Sequence, residues 1–486
     1  MVETTEAKVD DKASYFVKMA SKWDLLDDLI AGTARMRQVG KKWLPQEPRE
    51  KDEAYTNRVK RSFLYGAFSD AVDRIVAKPF SIPVTFTGAT PDLFNEMIRN
   101  VDNCGNDLTL FSRAVFEDGV IHGLSYILVD HPATGGKLTA KAERDLKIRP
   151  YFVHVKSDQL IGHRCRRNGA GEKVLTQVRI YGKSLNYVGK FGEEEVESIR
   201  VITEDGFEIW EKKDDDKEFS QTQQGEHTFG GVPLVPFYTN STGFMTADPP
   251  LEDVAWMNLA HWQSYSDQRN ILRFARVGIL FGSGFTEDEI ENGFSIGPTN
   301  MILSANEAAK LEVVEHSGRA IGAGKDDLEE LEAKMDSLGL RPFLDQKGNP
   351  TATGKAIDEA KSYSSILSWI RSLEMALRTA FEFAARWRKI TVSEDFDVDV
   401  FSDFGISVQT YEAIQNLTTA RANREISRQT YLEEIKRRGL IADTVKVDEE
   451  IQRIESEPPP AGLTAFGNDV FGDDDLEDDE EEDATE

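Results

Sequence analysis

One stretch limits the architectures open to this chain. From Tyr363 the apolar residues Ile366, Ile370, Leu373, Leu377, Ala380, Ala384 and Trp387 recur at steps of three and four without a break. That period predicts one helical face. Thr351 and Thr353 are both suitable N-caps, and at ~1.5 Å rise per residue the helix spans roughly 55 Å, too long for an ordinary small domain. The direct expectation is a spine whose stripe packs in the core of its own subunit. Upstream, Leu328, Leu331, Met335 and Leu338 share the face of a shorter helix that Gly339 stops. Between the two lies Arg341 to Pro350, with two prolines and a glycine, which can continue neither helix. A tight polar loop between helices so unequal predicts a hairpin held toward a partner or a channel.

The chain has 486 residues, room for two to four domains and an ample core. A formal net charge of −28 disfavours indiscriminate adhesion to nucleic acid or anionic membrane. Eleven of the fourteen residues from Asp473 to Glu486 are acidic, and without them the charge is still −17. From Pro458 the tail lacks the apolar residues to fold. Cys104 and Cys165 are too few for a disulfide framework. No apolar run approaches ~20 residues and no signal-peptide pattern opens the chain, so the expectation is a soluble intracellular product.

Taken in order, Ser14 to Ile30 reads as a helix with Ser14 at its N-cap, and Asp52 to Ala77 as one strong helix ended by Pro79. Helices follow at Pro91 to Val101 and Leu108 to His122, the latter capped by Asn106 or Asp107. The period then changes to two. Tyr126 to Val129, Ile148 to Val155, Val174 to Tyr181, Ser198 to Thr203 and Phe207 to Trp210 predict an antiparallel sheet over about 126 to 238, with turns at Asn168-Gly169 and Asp205-Gly206. Asp248, Pro249, Pro250 and Glu252 start a helix that runs to about Arg276. Its middle, Gln263 to Asn270, is polar almost all round, which predicts a bridging or ring-lining helix. A small mixed unit follows: strand-like Val277 to Phe281, a Thr286/Glu289 capping box, then strand-like Met301 to Leu303 and Leu311 to Val314. Past the long helix, Phe396 to Phe404 reads as a strand, and Tyr411 to Ala420 and Thr430 to Arg438 as short helices. Arg421, Arg424, Arg428, Lys436, Arg437 and Arg438 form the one basic patch legible along the chain, which without aromatic interleaving reads as a solvated face or a salt-bridge partner for acidic neighbours rather than a nucleic-acid site.

Catalytic motifs fail on inspection. Gly348 to Lys355 has five residues rather than four between its glycines, Ala356 where a magnesium-binding hydroxyl is needed, and no preceding strand. Gly123-Leu-Ser-Tyr-Ile127 lacks the closing glycine of a nucleophile elbow. His163-Arg-Cys165 is the only close ligand pair among scattered histidines. The reading is of a non-enzyme with no cofactor and no metal.

Leu44-Pro45, Tyr55-x-x-Arg58-x-x-Arg61-Ser62 and Ala71 to Phe80, then Pro250-Leu-Glu-Asp-Val-Ala-x-x-Asn-Leu-x-His261 with Ser264-x-Ser-Asp-Gln-Arg269, and Thr351-Ala-Thr353, carry a resemblance over about residues 40 to 390. They resemble the portal proteins of tailed bacteriophages, in particular a portal-like family otherwise labelled only as a domain of unknown function. The resemblance implies an α+β, mainly α fold. It implies a wing over 1–248, stem helices at 249–276 and 318–338, a small α/β clip at 277–317 and a tunnel loop at 339–351. A spine helix and wing return over 352–404, a short helical crown at 405–457 and a disordered acidic tail at 458–486 complete it. It further implies a ring of about twelve copies at one capsid vertex, the closure of a head-to-tail interface, which conducts double-stranded DNA during packaging and ejection. Asp345, Gln346, Lys347 and Asn349 would meet DNA without sequence preference, and Gln263, Ser266, Arg269 and Asn270 would face the channel or a neighbouring subunit. The implied partners are the terminase large subunit, the major capsid protein with scaffold, and a head-tail adaptor, with no membrane. The implied location is the virion, and the host cytoplasm during assembly. A phage or bacterial hydrolase with an unrecognised active site, and a non-portal head-tail connector component, stand as alternatives. A duplex carries one charge per ~1.7 Å, and an acidic conduit would let it slide.

Overall fold

The computed structural model describes residues 7–132, 146, 148–213, 218–277, 279–288, 304, 306–314, 318–338, 352–402, 411–437, 440–441 and 445–456. The chain forms two compact units, Met1–Ser402 and Asp403–Glu486. The fold is α+β and mainly helical.

In the first unit α1 (Ser14–Ile30) buries Phe16, Met19, Trp23, Leu26 and Leu29 at steps of three and four. Its N-cap is Ala13 rather than Ser14, and no side chain caps it. The Ala13 N–H instead donates to the carbonyl of Ile161 at 2.9 Å, so tertiary structure replaces the local cap. After α2 (Gly32–Val39), the single helix expected over 52–77 is two, α3 (Asp52–Arg61) and α4 (Ala67–Ala77). Ser62 turns extended and its hydroxyl donates to the Val59 carbonyl. Its own carbonyl accepts two hydrogen bonds from the Arg37 guanidinium, at 2.9 and 2.7 Å. The apolar period runs on through the break, because it reports which face is buried and not whether the backbone stays helical.

β1 (Thr85–Thr87) and α5 (Asp92–Met97) precede α6 (Leu108–His122). The Asp107 side chain accepts the Leu110 N–H at 2.8 Å, and Gly123 closes α6 at φ 93°. A side chain at Gly123 would collide with the Asp248 carbonyl, so glycine is required there for space as well as for sign of φ.

The strands fall into two main antiparallel sheets rather than one. β2 (Leu124–Asp130), β3 (Tyr151–Val155) and β9 (Leu234–Tyr238) form a three-stranded sheet with β2 central and buried. β4 (Leu160–Arg167), β5 (Lys173–Val188), β6 (Gly192–Thr203), β7 (Gly206–Lys213) and β8 (Ser220–Glu226) form a five-stranded meander. The separation falls between β3 and β4. There Asp118 on α6 accepts both the N–H and the hydroxyl of Ser157, turning the chain away from its previous partner. β8 contains no large apolar residue, which is why it is invisible as an alternating pattern. A two-stranded piece, β10 (Ser241–Gly243) with β11 (Thr246–Ala247), leads into α7 (Glu252–Val277).

Next come β12 (Ile279–Ser283) and β13 (Lys310–Val314), an antiparallel pair, and α8 (Arg319–Leu338). Met301–Leu303, Glu289 and residues 339–351, including the proposed tunnel loop, lie outside the described residues. The long helix α9 (Ala352–Arg388) has 37 residues. Ile366, Ile370, Leu373, Leu377, Ala380 and Ala384 are all completely buried against the three-stranded sheet and α6. Phe381 joins Phe86, Phe94, Phe152 and Phe396 in one aromatic cluster, with ring centroids 4.9–6.2 Å apart. β14 (Asp397–Asp399), shorter than the strand expected over 396–404, pairs with β1 and closes the unit.

The second unit contains α10 (Tyr411–Ala422), α11 (Arg428–Arg437) and α12 (Val447–Ser456), the last unforeseen in the sequence. Ser427 caps α11 by accepting the Thr430 N–H at 3.0 Å. The acidic tail lies outside the described residues.

Candidate functional site

α7 and α8 run antiparallel in close contact: His261 meets Glu332 at 3.1 Å, Ser264 donates to Asp327 at 2.7 Å, and Gln268 donates to the Ile321 carbonyl at 2.8 Å. Gly324 allows this approach, since a side chain there would strike the Gln268 amide. Gln263 donates to the Trp43 carbonyl at 2.6 Å, and Asp267 lies 3.6 Å from Arg58. The polar middle of α7 is therefore largely engaged within its own unit. Its polarity reflects partners brought by tertiary structure.

One face of α7 changes character along its length. Asn258, Trp262 and Ser266, four residues apart, are buried against the body of the unit. The same face continues as Arg269, Arg273 and Arg276, which are exposed. None of these three arginines has an acceptor among the described residues. Arg58 and Arg61, at the end of α3, complete a cleft of about 360 Å³ with Ser62, Ser266, Asn270 and Leu272. Arg58 is buried and spent internally, forking onto Glu50 at 2.9 and 2.8 Å and donating to the Pro45 carbonyl. Those bonds hold the Glu50 carboxyl below the usual range. Arg61 gives one bond to the Asn57 carbonyl and is otherwise open. Ser266 is 3% exposed, and its hydroxyl has no hydrogen-bond partner. The cleft is a local concentration of positive charge in an acidic protein, and its chemistry is the binding of anions.

Of the residues singled out in the sequence, Ser266, Arg269 and Asn270 come together here, and Gln263 does not. Arg273 and Arg276 were missed, although the 269, 273, 276 spacing is legible as one helical face. Their junction with Arg58 and Arg61 corrects the reading of residues 421–438 as the one basic patch. In that other segment Arg421 and Lys436 donate to the carbonyls of Ile426 and Val445. Asp345, Gln346, Lys347 and Asn349 lie outside the described residues.

The remaining polar constellation is buried. Asp118 Oδ1 lies 2.7 Å from His122 Nδ1, and His122 Nε2 lies 3.0 Å from Asp27. Ser125 Oγ lies 2.9 Å from His154 Nε2, and the same nitrogen is 3.5 Å from Asp118. One nitrogen facing both groups cannot relay a proton between them as a nucleophile's base would, and Ser125 is completely buried. The array ties α6 to β2, β3 and α1. Among the described residues no group of three or more His, Cys, Asp or Glu could hold a metal ion, and no helix is long and apolar enough to cross a membrane.

Residues 250–388, from the start of α7 to the end of α9, match the family described as Domain of unknown function (DUF4055). No curated protein matches the chain. Among solved structures the chain is similar to one from the virion of a native gene transfer agent particle, at 10% identity and a TM-score of 0.41, covering 81% of this chain and 96% of that one. It is also similar to one from the neck of a native gene transfer agent particle computed with C12 symmetry, at 11% identity and a TM-score of 0.39, covering 88% and 99%.

Proposed function

We propose that this protein is a structural component of a phage-like particle, a portal-type subunit that closes into a ring and conducts double-stranded DNA. The observation that carries the reading is the sequence of elements from 252 to 388: two antiparallel helices in contact, a small unit with an antiparallel strand pair between them, then a long helix whose stripe is the core of the large unit. In this reading α7 and α8 are the stem and the β12–β13 unit is the clip. The large unit's remaining elements are the wing, α10 to α12 the crown, and residues 339–351 the tunnel loop. Asp345, Gln346, Lys347 and Asn349 then meet passing DNA, Lys347 as the phosphate contact and the amides as transient donors. Exposed side chains of α7 face the channel or the next copy. Terminase, capsid protein and a head-tail adaptor are the partners, and about twelve copies the stoichiometry.

The test is mass by light scattering together with negative-stain images of the purified full chain. A ring with a central hole is expected; a monodisperse monomer at micromolar concentration and above overturns the reading. Replacing Asp345 to Asn349 by Gly/Ser should spare assembly and alter DNA packaging or retention. Wild-type packaging by that variant would reduce the loop to a connector.

A further inference from the structure

We infer that the arginine cleft on α7 is a phosphate-binding site that grips the backbone of a polyanion, so that the protein has a station that holds nucleic acid in addition to a surface along which it passes. Two independent observations meet there. The first is charge without partners. Arg269, Arg273 and Arg276 are exposed on one face and accepted by nothing among the described residues, in a chain of net charge −28 where carboxylates are abundant. Exposed arginines usually find a carboxylate where one is near, so a row of three left open is a surface prepared for an external anion. The second is the hydroxyl of Ser266, which is 3% exposed, lines the same cleft and has no hydrogen-bond partner. A buried polar atom without a partner is costly, and an acceptor oxygen entering the cleft would satisfy it.

The dimensions favour a chain of phosphates over a single small anion. The seven-residue separation of Arg269 and Arg276 is about 10 Å along the helix axis. One strand of a duplex advances about 3.4 Å per phosphate, so the row covers about three phosphates. Arg61 approaches from α3 and Ser266 from the floor, giving donors from two sides of one oxygen cluster. Arg58, its charge compensated by Glu50 and Asp267, serves only as a fixed wall of the cleft. That the polyanion is duplex DNA rests on the conduit reading above. The phosphate chemistry does not, since a free oligophosphate would present the same oxygens. Four open arginines per copy would also retard sliding, which makes this a place of retention.

The test uses the full chain and a short fluorescent duplex, with anisotropy read over a series of salt concentrations. Inorganic tripolyphosphate and a synthetic peptide of the sequence from Asp473 to Glu486 serve as competitors. Binding of the duplex, competed by tripolyphosphate, is expected, and the variant R269Q/R273Q/R276Q should bind at least tenfold more weakly. Its slope of log affinity against log salt should be shallower by about 2–3, because each phosphate that an arginine neutralises adds ~0.9 to the slope. Ser266→Ala should weaken binding about tenfold, the worth of a hydrogen bond to a charged group, with an unchanged melting temperature. The R269K/R273K/R276K variant, which keeps the charge, should retain most of the affinity and so separate binding from misfolding. Binding of tripolyphosphate alone still supports the phosphate site and removes DNA as its source. Wild-type affinity in the glutamine variant, or binding of the acidic peptide in preference to both phosphate ligands, overturns the inference. Because the cleft lies within one subunit, a chain that fails to form rings can still be assayed, and rings that bind DNA without these arginines would leave the ring reading standing.

Discussion

The side-chain carbonyl of Asn258 accepts the backbone N–H of Phe68 at 3.1 Å, 190 residues away in sequence. The amide nitrogen of the same side chain donates to the Tyr65 carbonyl at 2.7 Å. One completely buried asparagine on α7 thereby satisfies the backbone at the entry to α4 and fastens the long α7 helix to the body of the unit. Asn258→Leu should remove both bonds and leave the buried Phe68 N–H without an acceptor, while the Tyr65 carbonyl keeps the Ala67 N–H. The expected destabilisation is about 1–3 kcal/mol, the worth of one stranded buried donor, read as a fall in denaturant midpoint. A stability within about 0.5 kcal/mol of wild type would show that the α3–α4 break does not depend on this asparagine.

The His122 site sets a pH dependence. Burial would lower the imidazole, but hydrogen bonds and charge from Asp118 and Asp27 outweigh it and raise His122 from 6.5 to about 10. Burial likewise opposes the charged form of Asp118, yet His122 and His154 hold that carboxyl well below its usual 3.8. Asp158 adds a further carboxyl nearby, its own value raised by burial and by Asp118. A raised histidine stabilises fully below its unfolded value and loses that contribution as pH climbs through the folded value. A depressed carboxylate does so above its unfolded value and loses it on acidification. Stability from this pair should therefore be flat between 3.8 and 6.5 and decline from 6.5 toward 10. The decline amounts to on the order of a few kcal/mol. Chemical denaturation across that window should show the slope in wild type and its absence in His122→Gln, which should be less stable at pH 6.

The two main sheets are joined by Asp130 at the end of β2 and Arg200 on β6, a fork with bonds of 2.6 and 2.9 Å. Asp130 is mostly buried, while the Arg200 side chain keeps about a third of its surface, 32%. Asp130→Ala should cost about 2–3 kcal/mol, below the usual range for a fully buried pair because water can reach the guanidinium. The double change D130L/R200M should cost less than Asp130→Ala alone. A double variant as unstable as the single one would show that packing and not the unpaired charge dominates.

The β5–β6 hairpin ends in Leu185, Tyr187, Val188 and Phe191, with Tyr187 and Phe191 81% and 88% exposed. No described residue buries either ring, although the Lys190 ammonium lies over that of Phe191, 5.1 Å from its centroid. The double substitution Y187S/F191S should leave the melting temperature unchanged, within about 0.5 kcal/mol of stability. It should also reduce self-association measured by light scattering, as removal of an exposed apolar patch does. A marked drop in stability would mean the hairpin tip is packed in solution.

Local rules were enough wherever an element carries its own signals. α6 begins at the Asp107 cap and ends at Gly123, both readable from neighbouring residues, and α9 follows its apolar stripe to Arg388. The polarity of Ser266, Arg269 and Asn270 was equally legible, as was the spacing that places Arg273 and Arg276 on the same face. Other features depended on groups far apart along the chain. The break between α3 and α4 is held by Arg37 and Asn258, and the parting of the sheets by Asp118 reaching Ser157. The cleft exists because α3 ends beside α7, some two hundred residues later. Periodicity and caps report how a segment meets its immediate neighbours. Which distant donor takes a carbonyl, and which arginines are left without a carboxylate, is decided only when packing brings those segments together.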